Sequence, residues 1–72
     1  MRKDEFLNAL AEILEEETVK EEDVLGEFEA WDSLTILSII AYASSNLHVV
    51  LNNKEIRDCT TVADLIKLIE SK

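Results

Sequence analysis

Asp32-Ser33-Leu34-Thr35-Ile36-Leu37-Ser38-Ile39-Ile40-Ala41-Tyr42-Ala43-Ser44-Ser45-Asn46-Leu47 is the stretch on which the fold of this 72-residue chain turns. Its apolar residues Ile36, Leu37, Ile39, Ile40, Ala41, Ala43 and Leu47 fall on more than one face of a helix, the pattern of a helix packed between others. Asp32 suits the N-cap, where a short side chain can accept from the first unsatisfied backbone N–H groups. The run from Ser33 to Asn53 is free of Asp, Glu, Lys and Arg for twenty-one residues. That length would cross a bilayer core of about 30 Å as a helix. Its polar residues, Ser33, Thr35, Ser38, Ser44, Ser45, Asn46, His48, Asn52 and Asn53, argue instead for a core helix followed by a loop, without membrane insertion.

Working outward, Phe6, Leu7, Leu10, Ile13 and Leu14 recur at helical spacing with acids between them and predict a first helix from about Asp4 to Glu17. Residues 18–31 lose the periodicity but keep Val19, Val24, Leu25, Phe28 and Trp31, which reads as a long loop pinned by apolar anchors. Val49, Val50 and Leu51 have no second strand to pair with and are expected as an extended connection. Asn52 or Asn53 can cap a short helix over Lys54 to Asp58 with Ile56 inward. Thr61 and Asp64 have the spacing of a capping box, opening a last helix whose apolar face is Val62, Leu65, Ile66, Leu68 and Ile69. The expected architecture is one all-α domain over 1–72, a small four-helix bundle with three longer helices and a short third.

Composition narrows the function. With no Pro, one Gly and 47% hydrophobic residues, the chain has the make-up of helices with enough apolar side chains for a core. At this size a buried catalytic cleft with its own supporting residues is hard to accommodate, so the chain is not expected to be an enzyme. Residues 1–32 carry twelve acids and three bases, and residues 33–72 four of each, so the whole net charge of −9 lies in the first half. A pI near 4.3 repels phosphate backbones and excludes ordinary nucleic-acid binding. Cys59 is unpaired and His48 is the only histidine, too few donors for a zinc site. Arg2 and Lys3 are followed by Asp4 and Glu5 rather than an apolar run, unlike a signal peptide. A cytoplasmic monomer is the expectation.

Ser33 is placed for chemistry. In the first turn of a helix capped by Asp32, its hydroxyl stands beside free N–H groups and the positive end of the helix dipole, where a phosphodiester would be stabilised without any basic side chain. The tripeptide Asp-Ser-Leu alone would occur by chance in roughly a few per cent of chains this long. His48 lies about four helical turns further on, which leaves Ser33 without a base in its own chain and suits an acceptor rather than a nucleophilic catalyst.

With Ala30-Trp31 before it and an acidic helical chain around it, Asp32-Ser33-Leu34 resembles the motif of the acyl carrier protein family. The resemblance covers essentially the whole chain, including residues 53–68 as the family's third helix and the start of its fourth. It implies a stand-alone, non-catalytic carrier with 4′-phosphopantetheine attached to Ser33, flanked by the motif residues Asp32 and Leu34, holding acyl groups as thioesters. A separate phosphopantetheinyl transferase would install the arm from coenzyme A. Acyl-activating, acyltransferase or condensing enzymes would be its partners, in lipid or polyketide biosynthesis. Ile40, Ala43, Leu51, Ile56, Cys59, Leu65 and Leu68 occupy places resembling the family's acyl pocket. Ala30 stands where many members have glycine, and with Trp31 it resembles carriers outside the main fatty-acid pathway. The second helix is acidic in fatty-acid carriers, but Thr35, Ser38, Ser44, Ser45 and Asn46 are neutral here. The first loop is also shorter. The resemblance therefore points to a specialised pathway, with recognition through Leu34, Leu37 and the acidic loop. The alternatives are an aminoacyl or peptidyl carrier with the same arm, or an unmodified acidic adaptor using Phe28 and Trp31 as anchors.

Overall fold

The computed structural model describes all residues, 1–72, and contains helices without strands. Helix α1 spans Lys3–Leu14, α2 Ser33–Tyr42, α3 Asn53–Arg57 and α4 Val62–Glu70, with a 3-10 turn at Leu25–Glu27 and a π turn at Ala43–Leu47 that prolongs α2. The radius of gyration is 10.7 Å, close to the roughly 11 Å of a folded chain this long, so the helices share one core.

Helix α1 buries Phe6, Leu10, Ala11 and Leu14 and carries Asp4 and Glu5 in its first turn, where the dipole favours acids. It ends at Leu14, three residues before the expected Glu17. Glu15 adopts the left-handed conformation at φ 57°, its N–H donates to Glu12 O at 3.2 Å and the Glu16 N–H to Ala11 O at 2.9 Å. This is a Schellman closure with glutamate where glycine is usual. Three consecutive glutamates at the negative end of the dipole oppose continuation, which is the physical reason for the early stop.

Residues 15–32 form the expected anchored loop, with Val19 and Leu25 buried and Val24, Phe28 and Trp31 half-buried. A backbone clip fastens it to the entrance of α4: Leu25 N–H to Thr60 O at 2.9 Å, Val62 N–H to Asp23 O at 3.0 Å and Ala63 N–H to Glu21 O at 2.9 Å. Helices α2, α3 and α4 each open with a capping box, formed by Asp32 with Thr35, Asn52 with Glu55 and Thr61 with Asp64. Each N-cap is worth about 1 kcal/mol to a helix too short to form alone.

Helix α2 differs from the expectation of burial on several faces. It packs against α1 and α3 through Ile36 and Ile39, with Ala43 buried in the π turn, while Leu34, Leu37 and Ala41 form a stripe at i, i+3 and i+7 that no element covers. Two neighbouring helices cannot surround a third, so its second apolar face meets solvent. Val49 to Leu51 run as the expected extended connection, with Leu51 buried and Val50 exposed.

Candidate functional site

Asp32 begins the site. Its carboxylate accepts from the Thr35 N–H at 3.0 Å, while its own N–H donates to Thr35 Oγ1 at 3.0 Å. The Thr35 hydroxyl donates onward to Ala30 O at 2.9 Å. This reciprocal closure fixes the start of α2 and puts Ser33 at the first helical position with its side chain exposed. At that position the Ser33 and Leu34 N–H groups have no intrahelical acceptor. Leu34, 73% exposed, and Leu37, 61% exposed, continue the surface along α2 as an apolar strip beside the hydroxyl.

The partner of Ser33 is a cation. Arg57, from the last turn of α3, donates from Nη2 to Ser33 Oγ at 3.3 Å, and its Nε donates to Asn53 Oδ1. The expected anion-friendly position thus has a basic side chain after all. Sequence reasoning misses it because Arg57 lies twenty-four residues from Ser33 and the angle between α2 and α3 is set by the shared core. A signal exists in hindsight: only Lys54 and Arg57 are basic between Ser33 and Thr61, and Arg57 is one turn from Asn53.

Arg57 has no carboxylate within ion-pair distance, whereas its neighbours on α3 are committed elsewhere: Lys54 to Asp58 at 3.1 Å and Glu55 to Lys72 at 2.6 Å. The hydrogen bond from Lys72 and that from the Asn52 backbone hold the Glu55 carboxyl below its ordinary pKa. Asp64 is held low in the same way by the Thr61 and Thr60 backbone N–H groups. His48 is exposed in the left-handed conformation beyond the π turn, at the other end of α2 from Ser33.

Of the seven residues suggested for an acyl pocket, Ala43, Leu51, Ile56 and Leu65 are fully buried and Ile40, Cys59 and Leu68 pack half-buried against them. They come together as part of the core. Burial is the main cause that pushes the Cys59 thiol pKa up, with the carboxylates of Asp64, Asp58 and Glu55 adding to it. The molecule's cleft, about 540 Å³, lies elsewhere and is lined by Met1, Asn46, Leu47, Val49, Ile69 and Glu70.

The acidic half is largely unpaired surface. Arg2 reaches Asp4 and Glu5, and Lys3 reaches Glu21, but Glu12, Glu15, Glu16, Glu17, Glu22, Glu27 and Glu29 are exposed without an ion-pair partner. Ser38, Ser44, Ser45 and Asn46 are exposed and neutral, while Thr35 is occupied in the cap. Phe28 and Trp31 pack against the core. No helix is long and apolar enough to cross a membrane. Comparison of the chain with protein-family models, curated proteins and solved structures finds no match.

Proposed function

We propose that this chain is a carrier of acyl-carrier type, in which Ser33 accepts 4′-phosphopantetheine and presents a thioester-bound acyl group to partner enzymes, in a specialised pathway. The observation that carries the reading is the exposed Ser33 hydroxyl at the first position of a boxed helix, beside two free backbone N–H groups and the Arg57 guanidinium. Those residues suit a phosphodiester, which needs hydrogen-bond donors and positive potential. When bound, the arm supplies a thiol on a flexible tether. Ser33 supplies the Oγ that bonds to phosphorus as the nucleotide half of coenzyme A leaves, its proton passing to a base of the transferase. The one side chain bonded to Ser33 Oγ is a donor, which suits an acceptor that relies on another protein for deprotonation.

Leu34 and Leu37 supply an apolar surface next to the arm for partner enzymes. The neutral α2 face supports clients other than those that read an acidic second helix. Phe28 and Trp31, being packed inward, have less to offer an adaptor's partner.

The test is incubation of the purified chain with coenzyme A, Mg²⁺ and a broad-specificity phosphopantetheinyl transferase, followed by intact mass. The wild type is expected to gain one arm and Ser33→Ala none. No gain on the wild type, or a gain on Ser33→Ala, overturns the reading.

A further inference from the structure

Resting on the reading of Ser33 as the attachment point, we infer that Arg57 is the positioning residue for the attached group: its guanidinium pairs with the phosphodiester and holds the root of the arm against α3. Three observations lead there. Arg57 Nη2 already lies 3.3 Å from the Oγ that would be esterified, so the phosphate's non-bridging oxygens, two bonds further out through phosphorus, come within reach of the remaining N–H donors. The Asn53 side-chain oxygen Oδ1 accepts from Nε, which orients the planar fork. In a chain of net charge −9, Arg57, like Lys20 and Lys67, has no carboxylate within ion-pair distance, so its guanidinium is not committed to another charge.

Before modification, Arg57 donates to a neutral hydroxyl oxygen. Afterwards the same donors face a full negative charge, and a charge-assisted bond is stronger than a neutral one. The pair therefore strengthens on modification, and the folded state that holds the two groups together gains from it. The consequence for function is directional, because an arm tied at its root to α3 leaves along the α2–α3 seam.

The experiment is a cycle of wild type and Arg57→Gln, each with and without the arm, followed by urea unfolding at low and high salt and by ³¹P NMR of the modified forms. Modification is expected to raise the wild-type folding constant about two- to fivefold more than that of Arg57→Gln, the range for an exposed pair. The excess should vanish near 1 M salt, where the screening length is about 3 Å. The phosphodiester resonance should move with salt in the wild type and stay fixed in Arg57→Gln, with Arg57→Lys in between. Equal effects of modification in wild type and Arg57→Gln, with an unmoved resonance, overturn the role of Arg57 and leave the carrier reading standing. A wild type that takes no arm overturns both. Should Arg57→Gln resist modification, the wild type alone decides: a gain in its folding constant on modification that is the same at low salt and near 1 M overturns the inference.

Discussion

Ile39 and Leu37 stand two residues apart on α2, and truncating each to alanine should have very different effects. Ile39 is 1% exposed and Leu37 61% exposed. Either change removes three carbons. At roughly 0.8 kcal/mol for each buried carbon, plus the cavity left behind, Ile39→Ala should cost about 2–5 kcal/mol. A domain of this size has a total stability of about 4–11 kcal/mol, so the loss is a large share of it. The melting temperature should fall by at least about 8 °C, at a minimum of about 4 °C for each kcal/mol. For Leu37→Ala only the covered part of the side chain counts, about 1 kcal/mol, and the better helix propensity of alanine returns a few tenths. Urea unfolding followed by far-UV circular dichroism and by the fluorescence of Trp31 measures both, and coincidence of the two probes checks two-state behaviour. Losses above about 2 kcal/mol for both variants would mean that the Leu34–Leu37–Ala41 stripe is covered, and would refute the reasoning about α2.

Glu15→Gly should stabilise the chain by about 0.5–1 kcal/mol, because glycine adopts the left-handed closure of α1 without steric cost; an unchanged or lower urea midpoint would contradict the Schellman geometry. The lowered pKa values of Asp64 and Glu55 contribute stability above the ordinary carboxylate range near pH 4, lost as the pH falls through the lower folded-state values. Asp64→Asn should make that acid limb shallower in urea midpoints taken between about pH 2 and pH 6, and an unchanged limb would remove Asp64 from the account. Cys59, whose thiol burial holds protonated, should alkylate more slowly than free cysteine in mildly alkaline buffer and lose that protection in urea, a rate read by mass spectrometry.

Local chemistry is what the sequence makes legible. The apolar spacing of α1 and α4, the caps at Asp32 and Thr61, the inward Ile56 and the anchored loop all depend on residues a few positions apart, and all appear in the structure. The partners that complete two caps, Thr35 and Glu55, follow the same three-residue rule and could have been read from it. Interhelical placement is less legible. Whether Leu37 is covered depends on how many helices surround α2, and whether Arg57 reaches Ser33 depends on the α2–α3 angle. The stop at Glu15 is obscured for another reason: the closure that ends α1 uses a residue whose propensity argues against it. At the candidate site, Asp32, Ser33 and Leu34 are readable from their order in the chain, whereas Arg57 is readable only from the fold.

The π turn at Ala43–Leu47 has a consequence for chain length. His48 and Val49 both donate to Ala43 O, five and six residues back, where an α-helix would close at four. The turn thus holds a surplus residue, bulged among the exposed Ser44, Ser45 and Asn46. Deleting one of these three would let the helix close in ordinary geometry while Leu47 and Val49 keep their facing, and would leave Ser33 more than two helical turns away untouched. A deletion at Ala43, whose side chain is fully buried, would instead shift the residues packed in the core. The far end of α2 is therefore where this chain can shorten by one residue without disturbing the serine end.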